Sequence, residues 1–202
     1  MPILYYVADP MCSWCWGFTP TVEALDTDDR IELRYVMGGL ARDSDEPMPV
    51  DMRTYVQGAW REVESMTGAR FNWEFWQECQ PRRSTYPACR AVIAAALQNG
   101  GPAMFHRIQR AYYLEARNPS DSATLVEIAA ELELDTVRFA QDLASEAVEE
   151  ALQEDFHLRR QLQAKAFPSL VLKLRDTYRF VGRGWEATET VLARLGQTLT
   201  AP

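Results

Sequence analysis

The sequence predicts an α/β chain in which a β-α-β opening and a β-β-α close are separated by a large all-helical insertion. Three observations carry this: a β-branched and aromatic run just ahead of two cysteines, a long central stretch punctuated like helices, and two short strand-like runs joined by a charged dipeptide near the C-terminus. With 202 residues, 47% of them apolar, the chain can build one large core with an insertion and needs no disulfide to fold.

Residues 3–8, "ILYYVA", bounded by Pro2 and by Asp9-Pro10, read as a buried strand. From Ser13, "SWCWGFTPTVEALDT" reads as a helix whose first turn holds the cysteines, with a kink or weak hydrogen bonding expected at Gly17 and Pro20. "IELRYVMGGL" alternates apolar and polar residues and reads as a second strand ended by Gly38-Gly39. The segment from about residue 48 to 165 carries apolar residues at helical spacing. Its punctuation marks some five helices: Asn72 before "WEFWQEC", Pro87 and Pro102 at helix starts, Ser120, Asp121 and Ser122 as candidate caps, and Asp135 as another. "SLVLKL" and "TYRFVG" then form a predicted hairpin about Arg175-Asp176, and "EATETVLARLGQ" closes the chain as a helix after Trp185. With residues 48–165 taken as a helical insertion subdomain, 1–47 and 166–202 remain as one discontinuous domain, in the element order of a thioredoxin fold.

The balance of 21 basic and 29 acidic residues gives a net charge of −8, which opposes binding to nucleic acid or to anionic membranes. The adjacent pairs Arg82-Arg83 and Arg159-Arg160 read as solvated surface rather than phosphate clamps. No secretory signal pattern and no apolar run near the roughly 20 residues of a membrane span is visible, so the expected compartment is the cytoplasm. There a permanent structural disulfide is disfavoured, which leaves catalysis or metal binding for a close cysteine pair.

Cys12 and Cys15, separated by Ser13 and Trp14, suit dithiol chemistry. One thiolate must attack a disulfide, and a second thiol must lie close enough to release the mixed disulfide. At a helix start, unpaired N–H groups would favour the Cys12 thiolate over a free thiol of pKa about 8.5, with Cys15 one turn further in. Cys12 is therefore the expected nucleophile and Cys15 the resolving cysteine. Zinc uses the same spacing but needs two more ligands. Cys79 and Cys89 stand apart, and His106 and His157 sit in separate helical patterns, so no metal site is expected. The two remaining cysteines read as buried small residues, with a regulatory pair as the alternative. Trp14 is expected to be partly exposed and to shape an apolar groove, while Trp60, Trp73, Trp76 and Phe75 read as core. Pro168, in "AFPSL" directly before a strand, is a candidate cis proline. Its loop would face the dithiol, with Phe167 offering backbone hydrogen bonds and an apolar wall.

"DPMCSWCWGF", "YPACRAVIAAAL" and "AFPSLVL", in this order across the whole chain, resemble the DsbA-like branch of the thioredoxin superfamily, and within it the cytosolic FrnE-like disulfide oxidoreductases and isomerases. The resemblance implies a thioredoxin fold with a helical insertion, a reversible Cys12–Cys15 disulfide, and a cis peptide between Phe167 and Pro168. The chain departs from the C-P-H-C motif of the periplasmic oxidant: Ser13-Trp14 is neutral, and weaker thiolate stabilisation is expected. The implied function is thiol-disulfide exchange on protein or peptide substrates, with glutathione as a candidate co-substrate and no other cofactor. Alternatives are a kappa-type glutathione-dependent transferase or isomerase, whose members typically carry serine at the position of Cys12, and a non-catalytic chaperone-like binding module. Oligomeric state and the direction of electron flow are not encoded in any of these motifs.

Overall fold

The run read as a buried strand is β1 (Ile3–Ala8), the second position of a four-stranded sheet with the order β2-β1-β3-β4. The computed structural model describes residues 1–200, so the last two residues of the expected segment 166–202 lie outside the described residues. Leu4, Tyr6 and Ala8 of β1 point into the main core, while Tyr5 and Val7 point into a smaller one shared with Val36, Val171, Leu162 and Ala164. Both faces are covered, which is why the strand reads as an unbroken apolar run rather than an alternating one.

β2 (Glu32–Met37) runs parallel to β1, with Leu4 opposite Leu33 and Val7 opposite Val36. Parallel pairing demands a crossover, supplied by α1 (Ser13–Trp16) and α2 (Thr19–Asp26). The sequence predicts one kinked helix here; the structure has two. At Gly17 a Cβ would come within 2.9 Å of Thr67 and Val63, so the break is where another helix passes too close for a side chain. Pro20 then occupies the first turn of α2, where its missing N–H leaves no bond unmade.

β3 (Ser169–Leu174) is antiparallel to β1, with Tyr5 opposite Val171, and β4 (Thr177–Arg183) is antiparallel to β3. Leu174 pairs with Thr177 across the expected two-residue turn, where Arg175 takes a φ of 52°. α10 (Thr188–Thr200) closes the chain against α2 and β4.

Seven helical segments lie between β2 and β3, against some five expected: α3 (Val50–Thr67), α4 (Phe75–Glu78), α5 (Tyr86–Ala96), α6 (Gly101–Leu114), α7 (Ser122–Glu131), α8 (Thr136–Leu143) and α9 (Glu146–Gln161). The helix with no expected counterpart is α3, whose buried stripe is only Val56, Trp60 and Val63 in eighteen otherwise mostly polar residues, while the helix expected after Asn72 is the single turn of α4. Asp135 caps α8 by accepting from the Val137 and Arg138 N–H groups, as expected, whereas Asp121 stands at the N-cap of α7 without a side-chain capping bond. Trp60 is the hub of the aromatic core, with the rings of Phe71, Trp73, Phe75, Trp76, Tyr112 and Tyr113 centred 5.0–5.8 Å away. The main core runs without interruption from the sheet into these helices, and α9 returns to the sheet beside β2, where Asp155 accepts from the Met37 N–H at 2.8 Å.

Candidate active site

The C-terminal end of β1 feeds directly into the cysteine motif. The Asp9 carbonyl accepts from the Cys12 N–H at 3.0 Å, folding Asp9-Pro10-Met11-Cys12 into a tight turn. Cys12 is the N-cap of α1, with extended backbone at φ −86° and ψ 116°, and its side chain makes no capping bond. α1 is only four residues long, so the aligned dipole expected to favour a Cys12 thiolate is shorter than the sequence implies. Cys12 is 6% exposed and Cys15 is fully buried beneath it. All four cysteines are free thiols. Burial drives the Cys15 thiol well above the ordinary range, and the adjacent Cys12 sulfur pushes it further.

The Phe167-Pro168 peptide is cis, and the Phe167 carbonyl lies 3.8 Å from the Cys12 sulfur, which donates to it across 155 residues of chain. Pro168 itself is buried, with its carbonyl accepting from the Gly184 N–H at 2.7 Å. A cleft of about 270 Å³ opens at this junction, and Cys12, Ser13, Trp14 and Phe167 line it together. Trp14 is half-buried there, in agreement with expectation. Cys15 and Pro168 lie behind the cleft rather than in its wall.

Gly38 carries more than a strand end. A Cβ on it would come within 2.5 Å of the Phe167 ring, so the bare backbone is the seat on which that ring rests. Arg159 clamps the arrangement, donating to the Gly38 carbonyl while its guanidinium lies 5.7 Å from the centres of both the Phe156 and Phe167 rings. The expectation that both adjacent arginine pairs are solvated surface therefore needs correction. Arg159 is half-buried at the proline loop, Arg82 pairs with Asp121, and Arg83 lines the cysteine cleft. Long basic side chains lay their stems on apolar surface, which charge counting along a sequence does not register.

Asp9 is the residue the sequence reading missed. Its fully buried carboxylate accepts from the Met11 N–H at 2.8 Å, the Leu40 N–H at 2.7 Å and the Thr85 hydroxyl at 2.7 Å, with the Cys89 thiol at 3.6 Å. It thereby ties the cysteine turn to the β2–α3 connection and to α5. Burial raises its proton affinity, and the same donors oppose that rise. In the sequence it looks like any turn aspartate before proline; no local signal separates the two cases. Cys79 donates to the Ala116 carbonyl at 2.9 Å, so it and Cys89 engage different partners. His106 meets the Tyr35 hydroxyl at 2.9 Å and His157 meets Gln161 at 2.9 Å. Among the described residues no three His, Cys, Asp or Glu side chains are grouped to hold a metal ion.

The family profile described as Thioredoxin matches residues 5–178. Among solved structures, the chain is similar to a Nitrosomonas europaea protein provisionally named a protein disulfide isomerase, at 26% identity and a TM-score of 0.88, covering 98% of this chain and 97% of that one. It is similar also to the cytosolic disulfide reductase DsbM of Pseudomonas aeruginosa, at 27% identity and a TM-score of 0.81, covering 98% of both chains; DsbM has been solved with GSH as well. Among curated proteins, it is 27% identical over 171 residues to the ClpXP adapter protein SpxH of Bacillus subtilis, covering 83% of this chain and 56% of that protein. The chain thus spans little more than half the length of the curated relatives it matches. The profile match over most of the chain, together with these neighbours, assigns the chain to the thioredoxin family, with the fold of its DsbA-like thiol oxidoreductases.

Proposed function

We propose that the protein is a thiol-disulfide oxidoreductase acting on protein or peptide substrates through Cys12 and Cys15. The observation that carries this reading is the meeting of a nearly buried Cys12 sulfur with the Phe167 carbonyl at 3.8 Å, while a second thiol waits fully buried behind it. The Cys12 thiolate attacks one sulfur of a substrate disulfide; that S–S bond breaks, a mixed disulfide forms, and the departing thiolate takes a proton. Cys15 then gives up its proton and attacks the Cys12 sulfur. The mixed disulfide breaks, the second substrate thiol leaves, and the two electrons of the dithiol end on the substrate. Isomerisation uses the first step and its reversal alone.

Cys15 must give up its proton for the second step, and its burial opposes that loss. Trp14, Ser13 and Phe167 form the substrate wall, and glutathione is the candidate co-substrate, a role supported by the GSH-bound form of the similar DsbM. The cytosol as compartment is supported by that same neighbour; no helix among the described residues is long and apolar enough to cross a membrane. A reducing compartment favours reductase or isomerase duty over oxidation.

The test is a glutathione redox titration of purified protein, with thiol trapping and mass measurement. A reversible two-electron transition confined to the Cys12 and Cys15 peptides is expected. Two permanently free thiols across the whole range would overturn the reading. A second reading, a binding module without chemistry, is favoured by the adapter name of the curated relatives. It expects Cys12→Ser and Cys15→Ser to leave partner binding intact and no exchange activity to be lost.

A further inference from the structure

A second cleft, of about 660 Å³, adjoins the cysteine cleft and shares Leu40, Lys165 and Phe167 with it. Its wall brings in Arg159 and Arg160 from the end of α9, while Arg83 stands on the cysteine side. Four cations therefore face one continuous space that begins at Cys12, and neither wall contains an aspartate or glutamate. This is the reverse of the chain as a whole, where 29 acidic residues outnumber 21 basic ones. None of the four cations makes an ion pair among the described residues, whereas Arg82, Arg90, Arg107, Arg117 and Arg194 all do. Arg160 and Lys165 are exposed and free to turn toward a ligand, and Arg159 is already anchored on the Gly38 carbonyl.

With a net charge of −8 the protein does not attract anions from afar. Charges are screened beyond about 8 Å at physiological ionic strength, so recognition of an anion must be local to such a cleft. We propose that the cleft is the carboxylate subsite for a short peptide disulfide, of which glutathione disulfide is the simplest, and that Arg160 and Lys165 select such substrates over uncharged disulfides. The proposal rests on the exchange reading above. It adds that the sulfur is delivered to Cys12 by carboxylates seated one cleft away. A tripeptide suits the volume, and extended residues advance about 3.3 Å each, so carboxylates one or two residues from the sulfur fall within the joined space.

The test uses pre-reduced protein in single turnover, with glutathione disulfide and its fully esterified form as the two substrates. The double substitution Arg160→Glu and Lys165→Glu is expected to slow reduction of the acid form by about tenfold, the scale of two exposed ion pairs, and to change the rate with the ester by less than about twofold. The milder pair Arg160→Gln and Lys165→Gln gives an intermediate loss if charge is the cause and guards against a folding artefact. Equal losses on both substrates, or none on either, would overturn the proposal. A calorimetric titration with S-methylglutathione, which has no exchangeable sulfur, separates the subsite from the chemistry. If the protein exchanges with neither disulfide, the exchange reading fails, yet charge-dependent binding of the thioether still supports the cleft and its absence overturns it. Sensitivity that emerges only with a long acidic polypeptide disulfide would also overturn the short-peptide assignment.

Discussion

Cys12 and Cys89 each touch an oxygen, a carbonyl at 3.8 Å in one case and a carboxylate at 3.6 Å in the other, but in opposite settings. Cys12 sits at the mouth of a cleft lined by cations and aromatic rings, with a second thiol two residues beyond its neighbour in the motif. Cys89 is sealed on α5, where burial first and the Asp9 carboxylate second hold its thiol well above the ordinary range. An oxygen partner alone therefore says little about a thiol. What separates the two is access, the charge facing the sulfur, and whether another sulfur can complete the exchange.

The sharpest way to break this comparison is to remove each thiol. Cys12→Ser is expected to reduce exchange to the uncatalysed rate, while Cys89→Ala leaves it within about twofold, both measured by single-turnover reduction of a disulfide peptide. Parity between the two variants would mean that the cleft does not define the reactive sulfur. Next in size is the buried layer itself. Asp9→Ala strands the Met11 and Leu40 N–H groups and leaves the Thr85 hydroxyl only its longer bond to the Ala41 carbonyl, and should cost about 2–5 kcal/mol in urea unfolding, at about 1–3 kcal/mol for each stranded donor with partial relaxation.

A third expectation concerns the other buried carboxylate near the sheet. Burial raises Asp155 from 3.8 to about 6. Because the folded value lies above the unfolded one, its contribution is full below about pH 4 and is lost as pH rises through about 6, by at most about 3 kcal/mol. Asp155→Asn should flatten that part of the stability profile while retaining an acceptor for the Met37 N–H; an unchanged slope would assign the pH dependence elsewhere. The smallest effect is steric. Gly38→Ala pushes on the Phe167 ring and should cost about 1–3 kcal/mol. It should also slow exchange more than it lowers stability at 25 °C would explain, because the ring forms the cleft wall.

Much of the machinery was legible in the residues. The cysteine spacing, the proline directly before a strand, the hairpin at Arg175-Asp176 and the cap at Asp135 are local signals, and each has a local cause. The parts that were not legible depend on what arrives from far away in the chain. Asp9 reads as a turn residue until Leu40 and Thr85 close over it. Gly17 reads as a kink until α3 is seen to pass within van der Waals reach. α3 hides because its buried face is a narrow stripe in a polar helix, and Arg159 hides because its partner rings belong to Phe156 and Phe167 on either side of it.

The pairing of β1 with β3 sets Val7 opposite Ser169, so the two lips of the cleft are continuations of neighbouring strands that are separated by most of the polypeptide. Synthesis makes the dithiol first and its opposite lip last. A nascent chain that has not yet emerged past residue 169 already carries Cys12 and Cys15 but has no Phe167 wall against them. The Phe167 wall of the cleft is thus complete only once β3 has paired with β1, a long-range contact of the slowly formed kind.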